Sequence, residues 1–288
     1  MRDDILRGGP EDNESPALPS NSPPNPQKRG RADGPNAKSG RVVSDDLRRG
    51  NKKRKVTLVF FHGWGANGRV WERQAEFFQD RATVLMPTLP AWEVDWLVDY
   101  LGALPLPDCL LVGWSLGGML LLEALSRRPG PAPGGLVLVG VAPVFTRRPD
   151  YPWGQPAALV RAMRRALPTE GQKVLEEFAD RCLAPGETAF VFQARAAFTS
   201  PAAAGDLAAG LDYLLQRDLR SLLPGLPGGA VIIQGQEDRI VPPEQGRILK
   251  ESLPGSSLYL MPGAGHLPFL TQAAAFNRRL TECLNTAT

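Results

Sequence analysis

The segment Gly113-Trp114-Ser115-Leu116-Gly117-Gly118 constrains the fold of this chain more than any other feature. It follows the apolar run Cys109-Leu110-Leu111-Val112, which reads as a buried strand, and leads into Met119–Ala124, which reads as a helix. A strand that becomes a helix across one serine needs a sharp, strained bend, with small residues on either side to let the chain pass. Such a bend holds the Ser115 hydroxyl clear of a sheet and beside the positive end of the new helix. From Val56 onward, strand-like runs alternate with helical periodicity. That alternation calls for an α/β fold, a mostly parallel sheet with helices on both faces. Strands are expected near 56–61, 83–86, 109–113, 135–141, 230–234 and 257–261. Helices are expected near 69–79, 92–102, 116–128, 243–252 and 269–285. A short edge strand is expected at Arg41–Ser44.

The chain has only two histidines, and each stands directly after a strand-like run. His62 opens His62-Gly63-Trp64-Gly65, and His266 lies in Gly263-Ala264-Gly265-His266-Leu267-Pro268-Phe269. Between the serine bend and His266, the run Ala230–Gln234 leads into Gly235-Gln236-Glu237-Asp238, a turn carrying an acid. Ser115, Asp238 and His266 therefore follow the chain order Ser, Asp, His of one kind of nucleophilic triad. A serine hydroxyl is a weak nucleophile until a neutral imidazole takes its proton, and His266 is the histidine placed to do so. The imidazolium needs a carboxylate to fix its tautomer, the role expected of Asp238, with Glu237 the neighbouring competitor. A tetrahedral oxyanion needs preorganised donors, expected from the backbone N–H groups of Trp64 and Leu116. His62 is read as a residue that orients the Trp64 loop, not as a second base.

The motifs HGWG, GWSLGG, GQEDRIVPPE and GAGHLPF resemble those of the α/β-hydrolase superfamily. More narrowly, residues 56–285 resemble the carboxylesterases that demethylate pimeloyl-acyl-carrier-protein methyl ester in biotin synthesis. Trp64, Trp114, Ala142-Pro143-Val144-Phe145 and Tyr151-Pro152-Trp153 carry the narrower likeness. The stretch Met86–Trp92 departs from the superfamily, since it lacks the glycines of the usual D-x-P-G-x-G-x-S segment. The resemblance implies an α/β-hydrolase fold and ester cleavage through an acyl-enzyme, with an acyl-carrier protein as partner. Lys173 and Arg181 are the candidate contacts to that carrier, although Glu176 and Glu177 dilute the basic patch. The alternative is a general small-ester or thioester hydrolase. From a different class, the alternative is a noncatalytic binding module on a hydrolase scaffold, against which stands the full set of triad residue types. Dehalogenase and epoxide-hydrolase chemistry is disfavoured because those enzymes carry a carboxylate where this chain has Ser115.

Organisation follows from composition. Residues 1–55 hold 13 Lys or Arg against 8 Asp or Glu, and the remainder holds 20 against 22, so the net charge of +3 belongs to the tail. That tail, rich in Pro, Asn, Ser and Gly, is expected to be disordered. Asn51-Lys52-Lys53-Arg54-Lys55 reads as a charged guard before the first strand, and no nucleic-acid partner is expected. A core is expected at 56–143 and 224–288. Residues 144–223, Ala-, Leu- and Arg-rich and broken by prolines, are expected to form a helical cap that closes an apolar site. Trp64, Phe145, Trp153 and Phe178 are the candidate substrate contacts, with Phe192 and Phe198 as further aromatic candidates. Three widely spread cysteines suggest reduced thiols, and no close cysteine pair or glycine-rich phosphate loop occurs, so no metal and no cofactor are expected. No apolar run reaches the roughly 18 residues of a membrane helix, and the first residues lack a signal-peptide core. The reading is a cytoplasmic monomer.

Overall fold

The computed structural model describes residues 55–90, 92–198, 204–226 and 228–286. The tail up to residue 54, including the edge strand expected at Arg41–Ser44, lies outside them. The described strands are β1 (Thr57–Phe61), β2 (Thr83–Leu85), β3 (Cys109–Trp114), β4 (Gly135–Val139), β5 (Val231–Gly235) and β6 (Ser257–Met261). They form one sheet in the order β2-β1-β3-β4-β5-β6, with every pair parallel. The central strands β1, β3 and β4 are apolar and buried almost throughout, as a parallel sheet covered on both faces requires. β6 lies at an edge, and there the Tyr259 ring is covered by the Arg279 guanidinium, 5.2 Å from its centroid.

The helices of the alternation are α1 (Glu72–Phe78), α2 (Val94–Gly102) and α3 (Leu116–Arg127). The strand order reverses at β1: the chain steps outward to β2, then crosses back to β3 on the other side. Right-handed crossovers then put α1 on one face and α2 and α3 on the other. The crevice for a ligand opens where the connections part, beyond the carboxyl ends of β1 and β3. α3 is buried from Leu116 through Leu125 because it lies directly under the sheet.

Between β4 and β5 the chain runs through α4 (Ala157–Arg181), α5 (Val191–Ala197) and α6 (Ala204–Gln216). α4 contains Pro168 and breaks at Glu170, whose φ and ψ of −132° and 28° leave the helical region. A proline inside a helix removes one backbone bond and crowds the preceding turn, so two helices meet there at an angle. α4 packs against both α5 and α6. The insertion is tied to the core by buried polar contacts. Tyr213 on α6 donates to Glu123 on α3 at 2.6 Å, and Glu123 also takes Arg127 and, at 3.5 Å, Arg217. After the sheet come α7 (Pro243–Ser252), α8 (Pro268–Thr271) and α9 (Ala273–Thr286). The single helix expected near 269–285 is thus two, broken at Gln272, whose φ and ψ are −124° and 44°.

Candidate active site

Ser115 follows β3 and caps α3 with φ 52° and ψ −124°, the only non-glycine residue at positive φ among the described residues. That strain persists because the surroundings force it. A Cβ on Gly117 would collide with the His62 carbonyl, and one on Gly118 with Val141. A Cβ on Gly63 would sit 3.1 Å from the Ser115 Cβ. The glycines of both motifs therefore press the loop after β1 against the serine bend. Leu116 opens α3, so its N–H has no acceptor within the helix. In the loop after β1, the backbone bond from Ala66 to Gly63, at 3.3 Å, does not use the Trp64 amide.

His266 is fully buried, and its Nδ1 lies 2.7 Å from Asp238 Oδ2. A carboxylate accepts, so Nδ1 carries the proton and Nε2 keeps its lone pair. Nε2 is buried with no hydrogen-bond partner, so the Ser115 hydroxyl is not bonded to it in this state. Catalytic contacts of this kind often tighten only around bound substrate. Asp238 is saturated on its remaining sides. Its Oδ1 accepts from the Ile240 and Val241 amides, both at 2.8 Å, and Gln234 Nε2 reaches Oδ2 at 3.1 Å. Glu237 is exposed, and its backbone N–H donates to the Ala264 carbonyl at 2.9 Å. Gly140, at φ 52°, faces the pair: a Cβ there would lie 2.9 Å from His266 Nδ1.

His62 bridges two loops. The Leu89 amide donates to its Nε2 at 2.9 Å, and its Nδ1 donates to the Gly63 carbonyl at 3.0 Å. Burial disfavours the cation and lowers its pKa to about 4, against a smaller raising effect from the Gly63 hydrogen bond. It is neutral near pH 7 and holds the Trp64 loop.

A narrow apolar pocket lies beneath the insertion, lined by residues including Trp64, Phe145 and Phe178, with Gln155 and Arg181 as its polar members. Ile240, whose amide binds Asp238, also lines it and joins the cavity to the loop that carries Asp238. Gln155 donates to the Arg239 and Ile240 carbonyls at 2.7 and 2.8 Å, and Arg181 donates to its Oε1 at 3.1 Å. A second, outer groove shares Leu159, Met163, Phe178 and Arg181 with this cavity. Trp153 is 45% exposed and does not line the cavity; Phe192 is 81% exposed. Phe198 is buried against Trp114 and Phe178 instead. Lys173 pairs with Glu170 at 3.0 Å. Gln155, Gln234 and Gly140 had no signal in the sequence, because their partners are backbone groups or side chains brought near only by folding.

Residues 58–279 match the model of the alpha/beta hydrolase family. The chain belongs to that family. It is 34% identical over 241 residues to the pimeloyl-[acyl-carrier protein] methyl ester esterase of Chromobacterium violaceum, covering 80% of this chain and 94% of that one. It is 31% identical to the protein of the same name from Methylococcus capsulatus, covering 78% and 93%. Among solved structures it is similar to an esterase from Exiguobacterium antarcticum, with TM-score 0.73 at 23% identity over 80% of this chain and 92% of that one. A bromoperoxidase from Bacillus anthracis gives TM-score 0.71 at 24% identity over 81% and 92%. These structural likenesses fix the fold alone. Among the described residues no helix is long and apolar enough to cross a membrane, and no cluster of side chains is suited to a metal.

Proposed function

We propose that this chain is a serine carboxylesterase that removes the methyl group from a dicarboxylate methyl ester carried on an acyl-carrier protein, the pimeloyl ester of biotin synthesis. The observation that carries the chemistry is the buried Asp238–His266 pair, with its free Nε2, beside a serine held at positive φ. Ser115 Oγ attacks the ester carbonyl carbon while His266 Nε2 takes its proton. The oxyanion forms against the amides of Trp64 and Leu116, and Asp238 stabilises the imidazolium. Collapse breaks the bond between the carbonyl carbon and the methoxy oxygen, and His266 gives its proton to that oxygen, releasing methanol and leaving the acyl group on Ser115. Water, deprotonated by His266, then frees the acid from Ser115. The names of the relatives at 34% and 31% identity support the choice of ester.

The cavity suits an apolar chain with one polar end. Trp64, Phe145 and Phe178 offer an apolar wall to methylenes, and Arg181 offers a donor to a carbonyl further along the chain. The carrier is acidic, so its docking face needs unpaired cations. Lys173, Arg164 and Arg195 are each paired with carboxylates, whereas Arg161 and Arg165 are exposed on α4 and form no ion pair among the described residues. We assign the carrier contact to Arg161 and Arg165, beside the groove lined by Ala162 and Ala166. A second reading, hydrolysis of small free esters, draws on that same neutralisation of the cap's cations. In either reading the enzyme works in the cytoplasm.

The test is methanol release from carrier-linked pimeloyl methyl ester and from the free monomethyl ester, together with rescue of a biotin-requiring strain that lacks this esterase. Rescue by wild type but not by Ser115→Ala supports the proposal. Cleavage of p-nitrophenyl butyrate without rescue, and with equal rates on both methyl esters, would transfer the assignment to small esters.

A further inference from the structure

The buried carboxyl group of Glu187 belongs to no part of the triad, yet it touches the loop that carries His266. Glu187 lies in the insertion between α4 and α5 and is 5% exposed. Its Oε2 accepts from the Ala184 amide at 2.8 Å and from the Gly265 amide at 3.0 Å. The next amide, that of His266 itself, donates to the Cys182 carbonyl at 2.7 Å. Two successive amides of the histidine loop are thus bonded to residues 182–187 of the insertion. On its other side, the His266 carbonyl accepts from Trp114 Nε1 at 3.0 Å, one residue before Ser115.

The contact leaves no room for adjustment. A Cβ on Gly265 would meet the Cys182 carbonyl, the Ala184 nitrogen at 2.7 Å and Glu187 Oε2 at 2.9 Å. Glu187 forms no ion pair among the described residues, and its Oε1 is buried with no partner. Burying a carboxyl group in that condition is costly, and an apolar residue there would avoid the cost. Its placement has a use if it aligns the base.

We propose that Glu187 is a positioning residue that couples the seating of the cap to the alignment of His266. When residues 182–187 sit against Gly265 and His266, the imidazole is held against Asp238 with Nε2 left open for Ser115 to approach around substrate. When the cap lifts, two bonds to the histidine loop are lost together and Nε2 drifts from the serine. Turnover is therefore tied to a closed cap. The inference rests on His266 acting as the base for Ser115.

The experiment compares Glu187→Ala, Glu187→Gln and Glu187→Asp with wild type and with Phe78→Leu, a core truncation on α1 beside the edge strand that serves as a control for lost stability. Each is followed by kcat and KM on p-nitrophenyl butyrate and by the labelling rate of Ser115 with a fluorophosphonate. Glu187→Ala is expected to lower both kcat and labelling roughly 10- to 100-fold with KM little changed, as misplacement of a catalytic group by about 1 Å does. Glu187→Gln should recover most of the loss, because its amide oxygen can accept from both N–H groups. Glu187→Asp, one methylene too short to reach Gly265, should resemble Ala and supplies the test if the Ala variant does not fold. Wild-type kcat and labelling in the folded Ala or Asp variants, or a loss no larger than in Phe78→Leu, overturns the proposal. A wild-type protein that the probe does not label would instead refute the serine mechanism beneath it.

Discussion

Replacing Asp238 by Asn changes one atom and should disable the base without emptying the site. The Asn Oδ1 can keep both bonds from the Ile240 and Val241 amides, now 2.8 Å each, so the acid turn should hold its shape. The new NH₂ would then occupy the place of Oδ2, facing Gln234 Nε2 at 3.1 Å and His266 Nδ1 at 2.7 Å. Gln234 cannot rotate its oxygen inward, because its Nε2 also donates to the Val241 carbonyl at 2.8 Å. The conflict is relieved at the imidazole, which moves its proton from Nδ1 to Nε2 and accepts from the Asn. Nε2 is then a donor and can no longer deprotonate Ser115. The expected loss in kcat is about 10⁴-fold, or about 5.4 kcal/mol in the barrier. With only two histidines in the chain, nitrogen-15 spectra of the imidazoles resolve the tautomers directly. Both rings should carry Nδ1–H in wild type, and His266 alone should switch in the variant. Ester hydrolysis is measured beside Glu237→Gln, whose exposed side chain should matter little. A kcat within tenfold of wild type for Asp238→Asn, or a greater loss for Glu237→Gln, would refute the assignment.

Ser115→Ala should lose fluorophosphonate labelling and several orders of magnitude in kcat while melting like wild type; labelling that survives would show another nucleophile. His62 gives a pH dependence of stability. Its pKa is about 4 folded and about 6.5 unfolded, so between those values only the unfolded chain takes a proton. Its contribution is intact above pH 6.5 and falls by about 3 kcal/mol as the pH drops toward 4. Urea midpoints at pH 7.5 and 4.5 should accordingly differ less in His62→Asn than in wild type, and equal differences would contradict this. Gly117→Ala would drive a Cβ into the His62 carbonyl, so it should cost about 1–3 kcal/mol in stability and lower kcat by separating the two amides. A wild-type kcat in that variant would remove the close contact from the argument. Arg161→Glu with Arg165→Glu should lower kcat/KM on the carrier-linked ester, and flatten its salt dependence, more than on the free ester. Equal effects on both substrates would argue against a docking face there.

What could be read from the sequence was local. Six apolar runs predicted six strands to within a few residues, because buried parallel strands are continuous stretches of Val, Leu, Ile and Phe. The bend at Ser115 was legible because glycines on both sides mark a turn that other residues cannot make. The break in α4 near Glu170 was legible in the proline that precedes it, whereas the break at Gln272 was not, since it is settled by what the flanking segments pack against.

The candidate site divides along the same line. The sequence by itself determined which residue types stand after which strands: Ser115 after β3, the Glu237-Asp238 turn after β5, and His266 after β6. The sequence favoured Asp238 over Glu237, and the tertiary structure turns the Asp238 side chain into the core toward His266 and leaves its neighbour exposed. Only the tertiary structure brought the Leu89 amide to His62, gave Arg181 to the cavity, and set Glu187 against the His266 loop and Gln234 against Asp238. The physical reason is range. Strands, helices and the serine bend depend on residues within one turn of each other. The polar contacts that aim a catalytic side chain join groups such as Glu187 and Gly265, 78 positions apart, and exist only once the sheet and cap have closed.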